Sequence, residues 1–160
     1  MKDLNRILRS PDIVDGVDPL DIPCNDIDTS FPLAPASIYS FECTKAEKTT
    51  KKDDESRELI AYTLTNTSTI TSTKGEHMPP GSLSLIGRVS ITPSDKMDNR
   101  AIAKNIARVV KGLGLNLTPR QVINDPSTLV GGKGDWKVKL RPETNEFPAR
   151  NELGDPVIRG

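Results

Sequence analysis

The sequence predicts a mainly β domain of the α+β class, five strands with one helix between the third and the fourth. Three observations point to it. Apolar and polar residues alternate with period two over several short runs. Only residues 95–113 repeat their apolar positions with convincing helical spacing. Proline and glycine, 13 and 11 of the 160 residues, punctuate the remainder. With glycine included, about 41% of the chain is apolar, slightly below the roughly 45–50% of ordinary soluble domains. The core is therefore modest. Aromatic residues make up 4% of the chain (Phe31, Tyr39, Phe41, Tyr62, Trp136 and Phe147), which weighs against a binding mode built on many stacking platforms.

Residues 1–36 read as an extended Asp/Pro-rich N-terminal arm. A short amphipathic stretch at Leu4, Ile7 and Leu8 precedes Asp12, Asp15, Asp18, Asp21, Asp26 and Asp28, with no Lys or Arg among them. Pro11, Pro19, Pro23, Pro32 and Pro35 break any helix. The Asp-x-Asp-x-Asp-Gly spacing and distal Glu of a calcium loop are missing, so these carboxylates are expected to serve as turn and cap groups.

Residues 37–160 then form the barrel domain. Tyr39, Phe41 and Cys43 alternate with Ser40, Glu42 and Thr44, the signature of a half-buried first strand. KAEKTTKKDDESR follows as a charged loop carrying Lys48, Lys51 and Lys52. Over 57–73, Ile60, Tyr62, Leu64 and Ile70 share one parity and threonines fill the other, which predicts a long second strand bulged near Asn66. The third strand, 82–92, sets Leu83, Leu85, Val89 and Ile91 against Ser84, Ile86, Arg88 and Ser90. In the helix, Ile102, Ile106, Val109 and Leu113 recur at one face, Ser94 is the expected N-cap, and Gly112 and Gly114 supply the stop. Thr118 followed by Pro119 starts a short further helical turn. Gly131-Gly132-Lys133-Gly134 lacks phosphate-loop spacing and reads as the turn into the fourth strand, 134–141; a last strand spans roughly 147–158, with Pro148 and Pro156 interrupting it. His77, before Met78-Pro79-Pro80-Gly81, reads as a turn residue.

This order of elements matches the oligonucleotide/oligosaccharide-binding barrel, whose ligand face lies on strands 2 and 3 and in the loops joining strands 1–2 and 4–5. A five-stranded sheet on one helix in another topology shows the same order. For the barrel, the ligand-facing groups are Thr63, Thr65, Ser84 and Arg88, the Lys48, Lys51 and Lys52 loop, and Lys137, Lys139 and Arg141.

Composition excludes several function classes. No apolar run approaches the ~18–20 residues of a membrane-spanning helix, and MKDLNRILRS has no apolar signal region, so the expectation is a protein of the cytoplasm without membrane contact. One His and two Cys, Cys24 and Cys43, make neither a zinc site nor a disulfide scaffold. No nucleophile, paired carboxylates or metal cluster has a recognisable spacing, so no enzyme, metal or small-molecule cofactor is expected. Lys plus Arg and Asp plus Glu are 22 each, which rules out nucleic-acid binding by bulk charge. The distribution is uneven, however: residues 86–141 are strongly basic between acidic flanks, a pointer to a polyanionic partner.

Lys137-x-Lys139-x-Arg141 places three cations on one side of a strand, ~6.5–7 Å apart, close to the spacing of successive phosphates on a single strand. A merely solvated outer face shows the same pattern. Arg100, Lys104, Arg108 and Lys111 form a basic stripe along the helix that any amphipathic surface helix can carry. Trp136, Tyr39, Phe41 and Tyr62 share parity with aliphatic neighbours and belong to the core first. Phe147, in the last loop, is the aromatic freest to stack on a base.

IARVVKGLGL (106–115), TPRQVINDPSTLVGGKG (118–134) and WKVKLRPETNEFPARNEL (136–153), with a looser fit at Asp26–Ser30 and FECTKAE (41–47), resemble a family of small tailed-bacteriophage proteins encoded among replication and recombination functions. The resemblance covers about two thirds of the chain. It implies a phage origin and an accessory role on single-stranded DNA in replication or recombination. Together with the strand pattern and the barrel face, the expectation is a protein of the host cytoplasm that contacts DNA through Lys137, Lys139, Arg141, Arg88, Lys48, Lys51, Lys52 and Phe147, with further copies of itself or other phage proteins as partners. The rival expectation is a virion structural protein, a capsid decoration or connector subunit whose N-terminal arm clasps its neighbours.

Overall fold

The computed structural model describes residues 18–27 and 32–158; the expectations placed on Leu4, Ile7, Leu8, Asp12, Asp15 and Asp28 fall outside them. Residues 18–27 form two short 3-10 turns, Pro19–Asp21 and Cys24–Asp26. Asp18 accepts the Leu20 N–H at 2.9 Å, a turn-forming role for one arm carboxylate.

From Leu33 the chain builds a separate unit. The Asn151 side chain receives the Ala34 N–H at 2.9 Å and donates to the Ala34 C=O at 2.8 Å, so one amide fastens this segment. The alternation at Tyr39, Phe41 and Cys43 becomes β1 (Ser37–Lys51), with Phe41 and Cys43 fully buried. β1 does not stop where the alternation stops. It runs through a tight turn at Lys52 and Asp53 into β2 (Asp54–Asn66), so residues 45–57 are an exposed two-stranded ribbon rather than a loop. Both faces of the ribbon meet water, so its sequence carries no period-two hydrophobic signal.

The expected long strand 57–73 ends at Asn66. This side chain is 3% exposed; it donates to the Ser68 and Pro79 carbonyls at 2.9 and 3.0 Å and accepts the Leu83 N–H at 2.9 Å. A buried amide with three partners fixes a turn there. Beyond it, β3 (Ile70–Thr71) pairs with β4 (His77–Met78) as a small separate sheet, so His77 is a strand residue and not a turn residue. β5 (Ser84–Ser90) pairs with β2 and buries Leu85 and Val89.

The helix is shorter than expected. α1 spans Asn99–Gly112, and its N-cap is Asp98, which accepts the Ala101 N–H at 2.9 Å, not Ser94. Ser94 and Met97 exchange backbone hydrogen bonds of 2.8 and 3.1 Å, and this closed turn keeps residues 95–97 out of the helix. Ile102, Ile106, Val109 and Leu113 are all buried. α2 (Pro119–Asn124) has the expected Thr118 cap, completed by Gln121 as a capping box. A 3-10 turn, Pro126–Leu129, follows, so two α-helices and not one separate the third and fourth strands of the main sheet.

β6 (Lys133–Arg141) and β7 (Arg150–Pro156) complete a mainly β, α+β architecture with a five-stranded antiparallel sheet in the order β5-β2-β1-β6-β7. β7 is shorter than the expected 147–158, because Pro148 lies before it and Pro156 ends it. β1 pairs with β6 over 37–42 and with β2 from 41 onward, so it changes partner at Phe41–Glu42. The register shift just after this, between Cys43 and Lys45, is filled by the glycine turn: Cys43 donates to the Gly132 carbonyl and accepts from the Gly131 N–H, both at 2.8 Å. The edge strands β5 and β7 approach each other, with no hydrogen-bonded ladder between them among the described residues.

Helix α1 closes on the sheet through glycines. A Cβ on Gly134 would sit 1.7 Å from the Gly112 carbonyl oxygen, and one on Gly112 would press on Pro156 and Trp136 at 2.6 and 2.8 Å. Only bare backbone permits this approach. It seals Trp136, fully buried at the centre of the core.

Candidate nucleic-acid interface

The exposed groups of β6 follow from its alternation. Trp136 and Val138 point into the core, so Lys137, Lys139 and Arg141 lie on the outer face, and all three are exposed. β7 adds to this face residues whose roles are not legible in the sequence. Cross-strand register sets Arg141 opposite Arg150 and Lys139 opposite Glu152. Two guanidiniums directly opposed repel, and Glu152 offsets this by binding both: Arg141 Nε donates to one carboxylate oxygen at 2.7 Å and Arg150 Nη2 reaches the other at 3.1 Å. The hydrogen bond from Arg141, aided by the charges of both arginines, holds the Glu152 carboxyl below its usual value. Its contribution to stability is therefore present above the ordinary carboxylate range and is lost as pH falls through the lowered value. Lys137 and Lys139 have no ion-pair partner among the described residues.

The loop from Pro142 to Ala149 presents Phe147. Thr144 and Phe147 close it with a Thr144 N–H to Phe147 carbonyl bond of 2.8 Å and a Phe147 N–H to Thr144 hydroxyl bond of 3.1 Å. Phe147 is 56% exposed, and the Arg150 guanidinium lies over its ring at 5.4 Å. A fixed, accessible aromatic beside a row of cations is a geometry that takes a base against the ring and phosphates along the strand.

The other expected contacts lie on other strands. Arg88 is exposed on β5, the edge strand whose side approaches β7. Lys48 and Lys51 lie on β1 and Lys52 at the tip of the ribbon. Across the outer face of β1, β2 and β5, Thr63, Thr65, Ser84 and Arg88 share rows with Glu42, Lys45 and Glu47. The hydroxyls there satisfy one another, Thr44 to Thr65 at 3.1 Å and Thr65 to Ser84 at 3.3 Å. That face balances its charges row by row; on β6 and β7 the cations gather at 137, 139, 141 and 150 around Glu152, while Glu143 and Glu146 lie in the loop beside Phe147. Tyr62, Phe41 and Trp136 are buried and Tyr39 is half-buried, its hydroxyl donating to the Pro35 carbonyl at 2.6 Å, so among the described residues Phe147 is the most exposed ring.

Burial raises the Cys43 thiol to about 11 and the Tyr62 hydroxyl to about 12, so both are protonated at neutral pH. The apolar recess lined by Ile60, Tyr62, Val89, Ile106 and Val122 is part of the core. Among the described residues no three His, Cys, Asp or Glu side chains converge as metal ligands, and no helix is long and apolar enough to cross a membrane. No protein-family model and no curated protein matches the chain.

One consequence concerns Glu152. Replacing it with Gln releases Arg141 and Arg150 and removes a negative charge from the strip. For the single-stranded DNA expected from the sequence, affinity at low salt should rise roughly two- to fivefold, the scale of a surface ion pair. An anisotropy titration of Glu152→Gln beside the wild type reads this directly; an unchanged or weaker affinity counts against the arginines as contacts.

Proposed function

We propose that the chain is a phage-type accessory protein that holds single-stranded DNA by its backbone, without sequence specificity and without catalysis. The observation that carries this is the β6–β7 end: Lys137, Lys139 and Arg141 on one exposed face, with Arg150 and the Phe147 ring at its end. Cations at alternate strand positions repeat every ~6.5–7 Å and can follow successive phosphates, while one aromatic accepts a base of any identity. The strand order supports an OB-type barrel closed loosely between β5 and β7, with β1 shared between both halves. In that reading the DNA contacts gather at the loop between the fourth and fifth strands and the adjoining outer face, and Arg88 and the ribbon lysines are secondary.

The test is fluorescence anisotropy with a labelled ~30-nucleotide single strand across a salt series, where each phosphate contact contributes about −0.7 to the log–log slope. Phe147→Ala is expected to weaken binding by roughly 5- to 100-fold, the range for loss of one stacked base, with the slope unchanged because no charge is removed. Phe147→Trp should retain affinity. Equal affinity of Phe147→Ala and wild type would remove stacking from the account.

A further inference from the structure

The cationic side of α1 is left unused by the β6–β7 site. Projected on the helix, Arg100, Lys104, Arg108 and Lys111 fall within a sector of roughly 80°, centred about 180° from the buried Ile102, Ile106, Val109 and Val110. All four are exposed, none has an ion-pair partner among the described residues, and the helix itself contains no acidic residue. Arg100, Lys104 and Arg108 step along the axis by ~6 Å, again near the phosphate spacing. The helix has no aromatic residue, so this side offers phosphate contacts and no platform for an unstacked base. Paired bases do not need one.

Where α1 meets β6, Lys133 donates its N–H to the Leu113 carbonyl at 3.0 Å. There the outward row is broken: Lys133 is paired with Glu42 at 3.8 Å, and the Asp135 carboxylate, hydrogen-bonded by Ser40, comes next. α1 and β6 therefore meet at the Leu113–Lys133 bond, and the Lys133–Glu42 pair and Asp135 interrupt the cations between them, which makes two contacts rather than one track. We propose that α1 takes the phosphate backbone of duplex DNA, so that the protein seats at a junction of single strand and duplex. The junction half of this inference rests on the single-strand reading above; the duplex contact stands on the helix itself.

The test compares a ~20-base-pair duplex, a ~15-nucleotide single strand and the same duplex bearing that strand as a tail, with wild type and with Arg100→Ala/Lys104→Ala/Arg108→Ala. Alanine is the strongest helix former and the three sites are exposed, so the thermal melt is expected to be unchanged. The wild type should bind the tailed duplex about tenfold tighter than the single strand. The variant should lose that gain and keep its single-strand affinity, and its log–log salt slope on the tailed duplex should fall by about 2.7, from three duplex phosphate contacts at ~0.9 each. No gain from the duplex in wild type, a gain that survives in the variant, or an equal loss on single strand would each overturn the proposal. So would retention of wild type but not variant on phosphatidylglycerol vesicles without any duplex gain, which would assign the stripe to a lipid surface. Duplex binding that depends on α1 in a protein with no single-strand affinity would support the helix contact and defeat the single-strand reading alone.

Discussion

Gly134→Ala is expected to unfold the protein or to lower its melting temperature by at least about 10 °C, a loss of more than ~3 kcal/mol. The added methyl has nowhere to go. Its Cβ would lie 1.7 Å from the Gly112 carbonyl oxygen, and the obstruction is backbone in the last turn of α1, not the tip of a side chain that can rotate away. Relief requires α1 to lift off β6, which would expose Trp136 and Val109, both buried. Gly75→Ala is the matched control. Its φ of +84° disfavours an L side chain, but a Cβ there meets nothing within 4 Å, so the cost is about 1–2 kcal/mol of local backbone strain. Circular-dichroism melts of the two variants measure the difference. Similar melting temperatures for Gly134→Ala and wild type would mean that the helix is not seated on β6 in this way.

Simultaneous replacement of Lys137, Lys139 and Arg141 by Ala is expected to reduce single-stranded DNA affinity about 100-fold at low salt, taking roughly 1 kcal/mol for each charged contact. The salt slope should fall by about 2, from three contacts at ~0.7 each. Folding should survive, because all three side chains are exposed and, among the described residues, only Arg141 has an ion-pair partner, Glu152. Some loss is expected from alanine's weaker strand preference, within ~1 kcal/mol per site. Full affinity in the folded triple variant would place the DNA elsewhere, on the face that carries Arg88 and Lys45.

Much of this arrangement is legible in the sequence where one face of an element is wet and the other dry. Trp136 and Val138 between Lys137, Lys139 and Arg141 state both the strand and its outer face. Ile102, Ile106, Val109 and Leu113 state the helix. The β1–β2 ribbon is not legible, because residues such as Lys48, Thr50 and Glu58 are exposed on both sides and no period survives. The start of α1 fails for another reason. Ser94 and Asp98 are both good caps, and the choice between them is made by the Ser94–Met97 turn, which propensity does not reveal. Arg150 and Glu152 stand in a stretch the sequence singles out, but their roles are not legible there because they depend on cross-strand register. Arg150 matters once it stands opposite Arg141, and Glu152 once it must hold both. The signal available was the Arg-x-Glu alternation of the last strand, whose partner residues are chosen by the length of the loop before it.

The measurement that tests the central claim most directly is the salt dependence of wild-type binding to a labelled ~30-nucleotide single strand, with a blunt duplex of equal length as comparison. The account predicts tighter binding to the single strand and a log–log slope of about −2 to −3, the contribution of Lys137, Lys139, Arg141 and Arg150 acting on phosphates. Absence of single-strand binding at low salt, or binding with a slope near zero, would contradict it and favour a structural subunit that assembles with its own copies.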